Sequence, residues 1–166
     1  MNIYIASSWK NQHAVELMTA QLREQGHAVI SWIENNYGED HGPDKPMDFE
    51  AWMKTPAAER SFIFDTSGAA QCDLFIYASP GGKDAAAECG IAYRAANEPN
   101  GKSMLLWALW AKGEDFGLMR KMFDRWYTRS SDLLIATAAL AQGIVADRPE
   151  GGVGNPTEPA NSPVAS

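Results

Sequence analysis

The sequence predicts an α/β fold, a three-layer sandwich built on a mostly parallel five-stranded sheet. Three observations carry that expectation. Short apolar runs alternate with stretches of helical periodicity along most of the chain. The clearest of those runs end abruptly in polar or glycine-rich loops, as strands of a sheet covered on both faces do. The chain has 166 residues, 45% hydrophobic, 21% charged and 10% aromatic, which suits one domain with its own core and leaves too little for two.

Ile3–Ala6 reads as a buried first strand that breaks into a polar loop at Ser7-Ser8. Asn11 or Gln12 then opens a helix whose apolar face carries Ala14, Leu17, Met18 and Leu22, with Val15 a further candidate, and Gly26 stops it. Ala28–Trp32 supplies a second strand. From Ile33 to Pro56 the chain is punctuated by Asn, Gly and Pro, and the one regular piece expected is a short helix around Met47–Met53. A segment of that length without a strand is more often functional than idle.

A further helix is expected from Pro56 to Cys72, interrupted near Asp65–Gly68. Asp73–Ala78 is the clearest strand, and Ser79-Pro80-Gly81-Gly82 ends it at once. Asp84 is placed to cap a helix over Ala85–Asn97, and Ser103–Trp107 forms the next strand. A short helix near Phe116–Met122, a last strand within Phe123–Thr128, and a helix over Leu133–Gln142 capped by Ser130 or Ser131 complete the domain. The expected domain is therefore 1–146, followed over 147–166 by a disordered tail rich in Pro, Gly, Asn and Ser. Strand–helix alternation of this kind is flavodoxin-like wiring, in which ligands sit outside the carboxyl ends of the strands. That rule points to three loops: Ser7–Asn11, the Ile33–Pro46 region and Ser79–Asp84.

Charge and composition exclude some partners. The formal net charge is -7, from 14 Lys+Arg against 21 Asp+Glu. A duplex nucleic-acid binder would need a basic face to neutralise phosphates, so no nucleic-acid polymer is expected. A small anion remains compatible, because a few backbone N–H groups and one Lys hold a phosphate locally. The two cysteines, Cys72 and Cys89, build no disulfide framework, and they and the scattered His13, His27 and His41 show no metal-ligand spacing. No metal is expected. The opening apolar run lacks a basic flank and is too short for a signal peptide or a span, and no other stretch approaches spanning length. The expectation is a cytoplasmic protein without membrane contact.

Glu88 leads the candidate site residues. It lies four positions after Asp84 in a run of small residues, so both carboxylates can share one helix face near its amino end. The helix dipole there favours an ionised acid, which suits a nucleophile. The plainer alternative makes Asp84 a cap and Glu88 a solvated helix residue. Gly81 and Gly82 allow a sharp turn and close backbone approach, with Lys83 beside them to face an anion, or else they form an ordinary strand-to-helix turn. The pattern is neither a P-loop nor a dinucleotide fingerprint. Ser7, Ser8, Trp9 and Lys10 offer hydroxyls, a flat ring and a cation just past a strand, a set suited to a nucleobase joined to a sugar or phosphate, or to a capping loop with a surface Trp. Asp65, in Phe64-Asp65-Thr66, reads by itself as a cap or turn residue.

The strand Asp73–Ala78, the break Ser79–Lys83 and the helix start Asp84–Ala92, with Glu88-Cys89-Gly90-Ile91-Ala92 as Glu-x-Gly-x-Ala, resemble the signature of the nucleoside 2-deoxyribosyltransferase-like family. That family contains transferases that exchange bases between deoxynucleosides and N-hydrolases of deoxynucleoside monophosphates. Ile3–Ser8 resembles the family's first strand and substrate loop, the spacing of Asp65, Asp73 and Glu88 is similar to that of its acidic pair, and the resemblance covers roughly residues 1–143. Its implications are specific. Glu88 would be the nucleophile that forms a glycosyl ester, and Asp65 would orient the sugar or assist proton transfer to the leaving base, without metal or cofactor. The partner would be a small-molecule nucleoside or nucleotide, and the assembly a homodimer or higher homo-oligomer. The chain departs from the family at Gly82-Lys83-Asp84, where members often carry Ser or Asp. Ser8, Lys10 and Lys83 would suit a 5′-phosphate. Two other readings share the wiring: a TIR-like NAD glycohydrolase, with a Glu on a helix after Ser79-Pro80-Gly81, and a catalytically silent nucleotide-binding sensor.

Overall fold

The computed structural model describes residues 1–36, 48–99, 101, 103–111 and 117–144. Its five strands are β1 (Asn2–Ala6), β2 (Ala28–Ser31), β3 (Leu74–Ala78), β4 (Leu105–Leu109) and β5 (Arg125–Tyr127). All pair in parallel in the order β2-β1-β3-β4-β5. The helices are α1 (Gln12–Glu24), α2 (Trp32–Asn36), α3 (Phe49–Trp52), α4 (Pro56–Gln71), α5 (Lys83–Ala96) and α6 (Ser130–Ala141), with 3₁₀ segments at Trp9–Asn11 and Gly117–Met122. This is the flavodoxin-like arrangement that the alternation of elements predicts. The tail expected from residue 147 and most of the Ile33–Pro46 region lie outside the described residues.

Strand alternation divides the core in two. On one face Tyr4, Phe75 and Leu106 meet the buried sides of α4 and α5, at Ala69 and at Ala85, Cys89 and Ala92. On the other, Ile3, Ile5, Leu74, Ile76 and Trp107 meet α1 and α6, at Val15, Met18, Leu22 and Leu133. β1 and β3 are buried through nearly their whole length, as central parallel strands must be. Among the described residues no helix is long and apolar enough to cross a membrane.

Several element details differ from expectation. Leu17 is 70% exposed, and the seated face of α1 is Val15, Met18, Thr19 and Leu22, rotated from the Ala14/Leu17 stripe. Trp32 opens α2 rather than closing β2, and β4 begins two residues later than expected. Arg129, not Ser130 or Ser131, occupies the N-cap of α6 and makes no side-chain cap bond. Gly82, not Asp84, is the N-cap of α5, so Asp84 stands in the first turn.

The largest difference is α4, which runs unbroken through Asp65–Gly68. Thr55 caps it by accepting from the Ala58 N–H, Pro56 starts it, and the Thr66 hydroxyl is absorbed by the Phe62 carbonyl at 2.7 Å. Gly68 is there for packing. A Cβ on it would lie 2.6 Å from Tyr4 Cδ2 and 2.7 Å from Tyr4 Cε2, so only glycine lets α4 settle onto the fully buried Tyr4 ring.

That contact sets a stability prediction. Alanine at a helix-interior glycine ordinarily stabilises by roughly 0.5–1 kcal/mol. Gly68→Ala should instead destabilise by about 1–3 kcal/mol through overpacking against Tyr4. Urea denaturation of the two proteins checks this, and an unchanged or higher midpoint would refute the packing role.

Candidate active site

The seam between α4 and α5, above β1, gathers the two acids that lead the sequence reading. Asp65 lies on α4, half-buried, and Glu88 on α5 is only 7% exposed. Tyr4 rises from β1 between them. Its hydroxyl donates to Asp65 Oδ1 at 3.3 Å and also hydrogen-bonds Glu88. Glu88 Oε2 is buried without a hydrogen-bond partner. A carboxyl oxygen left in that state is costly, and such groups in a native fold call for an explanation such as a ligand or a catalytic role. Asp84 is exposed one turn before Glu88, and its charge acts on both other acids.

Burial governs the protonation of this cluster. It pushes Glu88 up to about 8, the negative charges of Asp65 and Asp84 push the same way, and the Tyr4 hydrogen bond pulls partly back. Asp65 is raised to about 6, again chiefly by burial, with Tyr4 opposing and Asp84 adding to the rise. Burial and the adjoining carboxylates hold the Tyr4 phenol protonated well above its ordinary range. Neither acid pairs with a cation among the described residues. The expectation that the helix dipole keeps Glu88 ionised is therefore overturned. Glu88 is the sixth residue of α5, past the turn where the dipole acts, and desolvation dominates. Between about pH 6 and 8 the Asp65–Glu88 pair holds one proton and one negative charge.

Two loops stand at the carboxyl ends of β1 and β3. Ser7 donates its hydroxyl to the Ala78 carbonyl at 2.6 Å and accepts from Asn11 Nδ2 at 3.1 Å. Ser8 caps the 3₁₀ turn by accepting from the Lys10 N–H at 3.3 Å, and its own N–H donates to the Pro80 carbonyl at 3.2 Å. Trp9 is 53% exposed and meets Trp32 edge-on, with ring centroids 4.4 Å apart. Lys10 and Lys83 are exposed at the surface.

The glycines divide their work. A Cβ on Gly81 would sit 2.2 Å from the Tyr77 hydroxyl, so this loop can close over the end of β3 only with glycine there, whereas a Cβ on Gly82 would meet open space. The close approach that two glycines suggest is thus made at Gly81 by a side chain of the protein itself.

Tyr4 and Asn11 are the residues that sequence reasoning missed. A polar-tipped ring in the middle of an otherwise apolar buried strand was the available signal for Tyr4. Cys89, next to Glu88, is buried, and burial pushes its thiol up to about 12, which leaves it inert. No group of three His, Cys, Asp or Glu that could hold a metal ion occurs among the described residues.

No family model and no curated protein sequence matches the chain. Among solved structures, it is similar to the 2-deoxyribosyltransferase of the psychrotolerant bacterium Bacillus psychrosaccharolyticus, over 83% of this chain and 96% of that one, with a TM-score of 0.61 and 21% identity. It also matches a CMP N-glycosidase of Clostridium botulinum over 82% of this chain and 96% of that one, with a TM-score of 0.47 and 17% identity. At 21% identity the first likeness is one of fold.

The buried acid has a measurable signature. A carboxyl raised in the folded state stabilises the fold fully only below its unfolded value, and that contribution is lost as pH rises toward and through about 8. Glu88→Gln removes the titration. The variant should match wild type near pH 5 and exceed it by about 1–4 kcal/mol at pH 8, an order-of-magnitude figure from roughly 1.4 kcal/mol per pKa unit. Denaturation at both pH values decides, and an equal difference at the two would show that Glu88 titrates normally.

Proposed function

We propose that the chain is a member of the nucleoside 2-deoxyribosyltransferase-like family and breaks or transfers the N-glycosidic bond of a (deoxy)nucleoside or nucleotide through a glycosyl ester on Glu88. The observation that carries this reading is the buried Glu88 carboxyl with one oxygen unpartnered, set beside Asp65 and under the Tyr4 hydroxyl. Retaining glycosidic cleavage needs one carboxylate to attack the anomeric carbon and one proton for the departing base. The Asp65–Glu88 pair carries that inventory near neutral pH. The shared fold with a 2-deoxyribosyltransferase supports the same reading, as does the Glu-x-Gly-x-Ala resemblance on α5.

In the unliganded cluster the two raised acids share one proton, and the attacking state is the one in which Glu88 lacks it. Attack requires the proton to leave Glu88, and the Tyr4 hydroxyl, bonded to both carboxyls, is placed to pass it to Asp65. Positive charge growing on the sugar ring favours this transfer, because an anionic Glu88 then faces a cation in a low-dielectric setting. Glu88 forms a bond to C1′ while the bond from C1′ to the base nitrogen breaks, its electron pair leaving with the base. The Asp65 proton neutralises that base. Attack by a second base or by water on C1′, its proton passing to the Asp65 carboxylate, then breaks the ester bond and frees the Glu88 carboxylate. Trp9, exposed on the β1 loop, suits stacking on the base, and Ser8, Lys10 and Lys83 with the Gly81-Gly82 turn suit a sugar hydroxyl or phosphate. Assembly as a homodimer or larger homo-oligomer belongs to the same reading.

Chromatography of the protein incubated with deoxynucleosides, deoxynucleoside monophosphates and NAD, with and without an acceptor base, tests the reaction. Free base is expected with wild type and none with Glu88→Ala, and a swapped base would mark a transferase. Nicotinamide release alone would favour the NAD glycohydrolase. Binding without turnover, unchanged in Glu88→Gln, would favour the sensor.

The profile of kcat/KM should be bell-shaped. It falls below about pH 6, where both acids are protonated, and above about pH 8, where both are ionised. Tyr4→Phe removes the bond that lowers both acids, so the acidic limb should move upward and the optimal rate fall by roughly 10–100-fold. A flat profile across pH 5–9 would contradict the shared proton.

A further inference from the structure

The Asn11 side chain stands at the N-cap of α1, where Asn ordinarily accepts from its own helix, yet it makes no cap bond. Its Nδ2 reaches away from the helix instead. It donates to Ser7 Oγ at 3.1 Å and, across 68 positions of sequence, to the Ser79 carbonyl at 3.1 Å. A carbonyl accepts and cannot donate, so the amide nitrogen is the atom that must face Ser79. Ser7 Oγ passes the link on to the Ala78 carbonyl at 2.6 Å, and the Ser8 N–H adds a bond to the Pro80 carbonyl at 3.2 Å. The Ser79 N–H is held in turn by the Leu109 carbonyl at 2.8 Å at the end of β4.

We propose that Asn11 is a positioning residue, whose amide and the Ser7 hydroxyl clasp the β1 loop to the β3 loop so that Ser8, Trp9 and Lys10 keep a fixed place relative to the start of α5. This rests on the proposed N-glycosidic reading for its catalytic meaning. It gives Ser7 a different part from substrate contact, because the donor and one acceptor site of its hydroxyl are both occupied within the protein. β1 and β3 pair as far as Ala6 and Tyr77, and the clasp extends that link into the loops beyond them. The β1 loop belongs to the first strand and α1, whereas the β3 loop leads directly into the helix carrying Asp84 and Glu88. Without the clasp, substrate held by the first would be free to shift against the acids of the second. Asn11 touches neither Asp65 nor Glu88 through any described bond, so it acts on placement and leaves the proton inventory alone.

Asn11→Asp is nearly isosteric but sets an acceptor against the Ser79 carbonyl, and Ser7→Ala removes the relay. Hydrogen exchange followed by NMR at the Ser8 amide reads the clasp without any assumption about activity. Exchange roughly tenfold faster or more is expected in both variants, as for a loop that has lost about one bond. With substrate, KM should rise roughly tenfold while the pH limbs of kcat/KM stay in place, and Ser7→Ala/Asn11→Ala should be no worse than either single variant. A purely structural role would lower the melting temperature and leave KM and Ser8 exchange unchanged, which would overturn the proposal. If wild type turns over no nucleoside while both variants accelerate Ser8 exchange, the reaction reading fails and the clasp stands. If wild type is active and Ser8 exchange does not change, the clasp fails alone.

Discussion

The Tyr4 ring is the contact on which the candidate site depends. It is fully buried in β1, it fills the space that Gly68 leaves vacant in α4, and its hydroxyl reaches one acid from each flanking helix. Three requirements meet in that side chain. Its ring needs a glycine above it, its hydroxyl needs partners because buried phenols rarely go without, and the two acids need a donor to moderate their burial. Packing and protonation are therefore one problem here, since the seating of α4 also fixes the distance from Asp65 to Tyr4.

Desolvation then decides the chemistry. Burial and the neighbouring negative charges raise Glu88 while the Tyr4 hydrogen bond lowers it, and burial is the largest of these effects, leaving an acid raised to about 8. An exposed glutamate at the same place in α5 would be ionised and unremarkable. The small residues around it, Ala85 and Cys89 against the sheet, let α5 lie close enough to take Glu88 out of water. A group of this kind, raised by burial and a specific charge partner, is a functional-site candidate on physical grounds.

The sequence carried much of the fold. Ile3–Ala6 and Asp73–Ala78 are apolar and sharply ended because central parallel strands must be buried on both faces and stop at loops, so β1 and β3 were legible, and Glu88 on the helix after β3 with them. The sequence suggests a break in α4 at Asp65–Gly68 because Asp, Thr, Ser and Gly together are the residues of turns. Their reasons lie elsewhere in the molecule: Asp65 meets Tyr4, Thr66 bonds back to Phe62, and Gly68 accommodates a ring. No local pattern reveals a partner 61 or 64 positions away. The same limit hid Asn11, whose N-cap position is legible while its bond to Ser79 is not. It also hid the state of Glu88, since periodicity gives a residue's face but not the charges opposite it.

A carbon-13 NMR titration of the glutamate side-chain carboxyls, assigned by comparison with Glu88→Gln, tests the central claim most directly. The account predicts a Glu88 midpoint near 8, falling when Asp65→Asn removes the neighbouring negative charge. A midpoint near the ordinary glutamate value, unmoved by that substitution, would contradict it.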